Sequence, residues 1–299
     1  MTKSTSDASN TQFLRLRNVD CPYCGVQLVK ANRTRDHVIG VNFVPPGVLA
    51  GEWNLILGAC RECNHEKSGL EDDISAITLL ACATSLSGGV SPTVAERARQ
   101  KSLKSISRLT AKAVADSSEN LKLSLQRGTA VLTLGLDAPP QIERRRSARL
   151  AWMQLRAFTY FIAYDEVSKS SAPGPADMVI VSEAPRSDWG NVAQLAFAKH
   201  VSDWEPRLVV TTASGFFRIA VRREAGQSCW SWAMEWNMQR RFVGFFGEPH
   251  AVKTNEQLMP QPKRTLLDRL PNGGARTYYK ETPLADHEDI LFDDARANS

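Results

Sequence analysis

Cys21-Pro22-Tyr23-Cys24 and Cys60-Arg61-Glu62-Cys63 are two C-x-x-C pairs with 35 residues between them. Two thiolates on a tight turn can face one ion, and four at tetrahedral geometry close a structural zinc site with no open position for substrate. Cys82 and Cys229 stand alone. In an intracellular chain such pairing reads as metal ligation rather than a disulfide framework. Between the pairs lie Arg35-Asp36-His37-Val38-Ile39 and Trp53-Asn54-Leu55-Ile56, and directly after Cys63 comes Asn64-His65-Glu66-Lys67. These residue types suit phosphodiester hydrolysis. That reaction needs a base to activate water and a cation to neutralise the phosphate. Histidine titrates in the right range for the base. A hard ion such as Mg²⁺ prefers oxygen ligands and keeps several waters, so Asp36 and the amide oxygen of Asn64 can supply its protein ligands.

Taken in order, with the cysteines interleaved, these pieces resemble the His-Asn-His (HNH) endonuclease family, in its four-cysteine form with Asn in the last motif place. The resemblance covers roughly residues 13 to 80. It implies a ββα-metal fold, two antiparallel strands and a helix clasping one divalent ion. His37 is then the general base. Asn54 takes the middle place, tying the intervening loop and orienting His37. Asp36 and Asn64 bind catalytic Mg²⁺ or Mn²⁺, while Cys21, Cys24, Cys60 and Cys63 hold structural Zn²⁺. Lys67 is expected on backbone phosphate. Asn54 and Asn64 stand ten apart, one more than the family pattern, which suggests a small bulge at Gly58. His65 also competes with Asn64, since neighbours on a helix point about 100° apart and only one can face the ion.

The elements that must position these residues follow from the wider pattern. The fold class expected is α+β: an N-terminal zinc-stapled module at 13–85, a basic helical connector at 86–145, and an α+β C-terminal domain at 146–260. Residues 1–12 read as a disordered tail and 261–299 as a polar one. Helix-like texture starts near Cys60 and continues to Cys82. Ser91-Pro92 opens a helix that can run to Ala115, with Ser as cap and Pro at the first position. Residues 141–168 look helical, with Leu150, Met153, Ala157, Phe161 and Tyr164 on one face. Strands are expected at Met178–Val181, Leu208–Thr212, Phe216–Arg222, Cys229–Trp236 and Phe242–Phe246, and a helix at Asn191–Val201.

Charge narrows the partners. The net charge of +5 is uneven: residues 81–149 hold 12 Lys and Arg against 5 Asp and Glu, whereas 13–80 hold 7 against 8 and 150–299 hold 17 against 18. The excess fits a nucleic-acid footprint, with Lys101, Lys104 and Arg108 as phosphate contacts, although a solvated helix face explains it equally well. No run of about 20 apolar residues exists, and the polar start carries no secretory signature, so a cytoplasmic protein is expected. Trp230, Trp232 and Trp236 fall at even spacing and share a strand face, either a core or a surface that selects target or partner. The expected partner is DNA, with a regulatory protein or ligand for the C-terminal domain and homo-oligomers left open. The expected function is metal-dependent DNA cleavage, in a setting such as restriction or antiviral defence. Its rival is a catalytically inactive, zinc-stabilised nucleic-acid-binding module.

Overall fold

Exposed and covered residues alternate along Arg33–His37, and Leu55–Cys60 is buried throughout; together they form the hairpin on which the N-terminal unit is built. The structure is a computed structural model describing residues 13–84, 90–127, 130–172, 174–263, 265–269, 275–278 and 280–293. The expected tail at 1–12 lies outside the described residues. Strand β1 (Leu14–Arg15) runs parallel to β3 (Leu55–Cys60), and β2 (Arg33–His37) pairs antiparallel on its other side. The β2–β3 register runs unbroken from Arg33↔Cys60 to His37↔Ile56. There is no bulge at Gly58. The extra residue between Asn54 and Asn64 is taken up without disturbing the ladder.

Helix α1 (Arg61–Thr84) begins at the residue after β3 ends, with Glu62 in its first turn where the helix dipole favours an anion. Helix α2 (Pro92–Lys104) follows, capped by Ser91 and started by proline as the sequence predicts. It stops at Lys104 rather than Ala115, because Ser105 is extended and its amide closes onto Lys101. Beyond it the expected helical connector is a two-stranded antiparallel hairpin, β4 (Glu119–Arg127) with β5 (Ala130–Ala138). The leucines at 121, 123 and 125 alternate as a strand requires.

Helix α3 (Arg144–Ile162) crosses the boundary between two units. The first unit comprises the residues up to Ala157 together with Glu166–Ser170; the second comprises Phe158–Asp165 and the chain from Ser171. The expected boundary at 145/146 therefore falls a dozen residues too early. Leu150, Met153 and Ala157 are buried, Gln154 donates to Val38 O at 3.5 Å, and Arg146 pairs with Asp73 at 2.6 Å, so this stretch completes the first unit.

The second unit is an antiparallel five-stranded sheet in the order β6-β10-β9-β8-β7, from β6 (Val179–Pro185), β7 (Glu205–Thr212), β8 (Phe217–Arg223), β9 (Cys229–Trp236) and β10 (Arg240–Gly247). Helices α4 (Val192–His200), capped by Asn191, and α5 (Pro249–Gln257) pack on one face with Ala220, Ala233, Val243 and Phe245. Trp232 and Trp236 are wholly buried on the other face and Trp230 stacks on Phe246 at 5.7 Å. Gly244 lies opposite Trp232 in the register, and a β-carbon there would come within 2.9 Å of the indole nitrogen. The stretch expected to be a polar tail is instead structural. It contains a strand pair, β11 (Thr265–Arg269) with β12 (Ala275–Tyr278), and it inserts Leu291 and Phe292 into the core. Two apolar residues among acidic ones carry too little periodicity to reveal this in the sequence. Among the described residues, no helix is long and apolar enough to cross a membrane.

Candidate functional site

Cys21 and Cys24 sit on a knuckle closed by Gly25 N–H to Cys21 O and Cys21 N–H to Val26 O, both 2.8 Å. Gly25 has φ of +77°, the left-handed conformation that turns the chain sharply enough for both thiols to face inward. Cys60 closes β3 and Cys63 lies in the first turn of α1. All four sulfurs lie within 4.8 Å of one another, with Cys24 and Cys60 at 3.7 Å. A tetrahedron with 2.3 Å zinc–sulfur bonds has edges of about 3.8 Å, so this donor set fits a structural zinc ion. The crowded thiols also differ in proton affinity. The Cys63 thiol holds Cys21 down at about 5, whereas Cys63 itself is pushed up by Cys21. Two arginines of α3 lie near the sulfurs: Arg156 donates to Pro22 O at 3.1 Å, and Arg149 and Arg156 flank the Trp152 ring at 4.5 and 4.6 Å. Their positive charge offsets that of a four-thiolate cluster.

Strand β2 delivers the Asp36-His37 pair. Alternation turns Asp36 toward α1, buried at 4 % exposure, and leaves His37 half-buried on the opposite face beside Phe13. One Asp36 oxygen accepts from the Tyr23 hydroxyl and the other from Lys67 Nζ at 3.2 Å. Lys67 also donates to His37 O at 2.8 Å and pairs with Glu71 at 2.8 Å. All three ammonium protons thus have partners. Burial alone would depress the Lys67 ammonium, but Asp36 and then Glu71 outweigh it and raise it. Burial pushes the Glu71 carboxyl up against the pull of Lys67. His37 is lowered by burial and then by Arg35, which keeps the ring neutral near pH 7, the form a general base needs.

Asn54 has no exposed surface. Its Nδ2 donates to Ile39 O at 2.8 Å and its Oδ1 accepts from Ile39 N–H at 3.3 Å. It ties down the loop that follows His37. A cleft of about 510 Å³ opens beside the pair, lined among others by Arg35, Asp36, His37, Asn64, Glu71 and Lys101. His65 lines it as well, so helix phase alone does not separate it from Asn64.

Two phosphate-binding expectations change. Lys67 is 1 % exposed and spent on the Asp36-His37 pair, so it does not reach the surface as a phosphate contact. Lys101 is directed inward to Asn42 O and Ser75 Oγ. Lys104 and Arg108 are exposed, and Arg108 borders the cleft. Tyr23 and Glu71 are site residues that sequence reasoning missed. Glu71 stands four residues after Lys67, the spacing that pairs charges along a helix, and was findable on that ground. Tyr23 carried no such signal, because an aromatic between two paired cysteines reads as packing.

No family profile, curated protein or solved structure matches the chain significantly.

Proposed function

We propose that the N-terminal unit is a metal-dependent endonuclease of the His-Asn-His type that hydrolyses DNA phosphodiester bonds. The observation that carries this reading is the convergence of Asp36, His37 and Asn64 on one cleft, through a hairpin leading directly into a helix, with four clustered cysteines fastening the knuckle to the start of that helix. Neutral His37 takes the proton of the attacking water. Lys67 and Tyr23 fix Asp36, and Asn54 holds the backbone immediately after His37. A carboxylate oxygen can accept two hydrogen bonds, so Tyr23 and Lys67 leave Asp36 free to join Asn64 in holding Mg²⁺ or Mn²⁺. When bound, that ion neutralises the phosphate and the leaving oxygen. The cysteine zinc is structural.

The Lys67–Asp36 ion pair favours one other reading, in which Asp36 is purely structural and the unit binds nucleic acid without cutting it. Incubating purified protein with plasmid in Mg²⁺, Mn²⁺ or EDTA decides between them. Nicking or linearisation that needs the ion and falls by about 10²–10⁴-fold in His37→Ala, with zinc content unchanged, supports the nuclease. Intact plasmid in both metals, or a variant within a few-fold of wild type, rejects it in favour of the binding module.

A further inference from the structure

We infer that the outer face of the β1-β3-β2 sheet is a track for the DNA phosphate backbone, built by Arg15, Arg33 and Arg35 and leading to His37. It rests on the nuclease reading for its direction, though not for its chemistry. Residues 33, 35 and 37 alternate onto one face of β2, about 6.7 Å apart from one to the next. Across the sheet, Ile56 pairs with both His37 and Arg15, so these three form one row perpendicular to the strands. Arg35 pairs with Gly58, whose missing side chain leaves a shallow floor. A β-carbon there would meet the Arg33 guanidinium at 3.0 Å. The result is a groove of about 290 Å³ lined by Arg15, Arg33, Arg35 and Gly58. Arg35 also lines the cleft that holds His37, so groove and cleft meet at that residue.

Charge supplies the occupant. Arg15, Arg33 and Arg35 are exposed, and none has a carboxylate within ion-pair distance among the described residues. Three unneutralised guanidiniums along one groove match a polyanion of regular spacing, and guanidinium geometry suits phosphate oxygens in particular. Part of the basic helix that the sequence favoured is engaged elsewhere, while Lys104 stays exposed. Arg97 donates to Pro46 O, Arg99 pairs with Glu96, and Lys101 turns inward. Arg15, Arg33 and Arg35 share one face of the sheet, whereas Asp36, on the opposite face, and Glu71 and Asp73 on α1 are each held in an ion pair.

The test is a salt titration of binding between full-length protein and a fluorescent DNA duplex, in the His37→Ala background so that the probe stays intact. Removing one phosphate-binding side chain flattens the slope of log K against log salt by about 0.9. Arg15→Ala/Arg33→Ala is expected to flatten it by about 1.8, whereas Arg15→Lys/Arg33→Lys keeps it and Arg99→Ala leaves it unchanged. Zinc content matching wild type shows that the variants are folded. An unchanged slope in the Ala pair, or no DNA binding by the parent protein at low salt, overturns the track. The two readings fail separately. A protein with the expected slope change that leaves plasmid intact in Mg²⁺ loses the nuclease assignment and keeps the track. One that cuts with an unchanged slope does the reverse.

Discussion

Each unit buries one cation between two carboxylates. In the N-terminal unit Lys67 lies between Asp36 and Glu71; in the C-terminal unit Arg241 lies between Glu235 at 2.9 Å and Asp289 at 2.6 Å. The surroundings differ. Arg241 is stacked on Trp189 at 3.7 Å and faces Phe292, and Arg218 adds a second positive charge against the same two acids. That cluster is formally neutral and enclosed by aromatic rings. The Lys67 cluster carries two acids against one ammonium, a formal excess of one negative charge, and opens onto a polar cleft. Burying ions is costly in either place. The neutral arrangement is capped by aromatic rings, whereas the formally charged one faces the cleft that Asp36 and Glu71 line.

The largest effect that would sharpen this contrast comes from zinc. Cys21→Ser or Cys60→Ser is expected to remove about one zinc per chain and unfold the N-terminal unit, since structural zinc contributes on the order of 10 kcal/mol. Elemental analysis with calorimetry checks it; zinc-free protein that melts like wild type would rule the site out. Next come the two buried cations. Lys67→Met and Arg241→Met should each destabilise by about 3–5 kcal/mol, since each leaves uncompensated buried carboxylates. Only Lys67→Met should also abolish plasmid cleavage at temperatures where both variants remain folded. Equal loss of cleavage in both would erase the difference between the two clusters. Tyr23→Phe is the smallest change. It removes one hydrogen bond to a buried carboxylate, worth about 1.5–3 kcal/mol, and should lower kcat more than it raises KM while leaving zinc content intact. Wild-type kcat in that variant would make the Tyr23 hydroxyl a bystander.

Much of the site was legible because it was written in local spacing. Two C-x-x-C pairs announce a common ion whatever lies between them, and the structure brings all four sulfurs together. Asp36, His37 and Asn64 meet at one cleft because a strand and the first turn of the following helix are each short, rigid and close to a cysteine. The strands of the second sheet were visible too: Cys229–Trp236 matches residue for residue, because alternation and β-branched or aromatic content coincide there. What stayed hidden depended on contacts distant in sequence. Lys67 read as a surface lysine until α1 packed on β2 and enclosed it. The stretch from Arg146 to Ala157 read as part of the C-terminal domain, although its apolar face and Arg146 belong to the first unit. A fragment ending near residue 145 would cut away Arg149, Gln154 and Arg156, which reach Glu66, Val38 O and Pro22 O of the same unit. The connector failed for another reason: its charge drew attention from the period-two leucines of β4.

The late residues of the second unit have a consequence for synthesis. Arg222 reaches Leu291 O at 3.1 Å and Asp293 O at 2.9 Å, Arg241 takes its second carboxylate from Asp289, and Phe292 closes the core beside both. Chains leave the ribosome N-terminus first and domains tend to fold as they emerge. The first unit has all its parts once residue 170 is out. The sheet, by contrast, must wait for its second carboxylate and for the carbonyls that Arg222 binds until residues 289–293 follow, more than 40 residues after β10 is complete. During translation a finished N-terminal unit therefore precedes an unfinished sheet, and residues 289–293 supply its last core and ion-pair contacts.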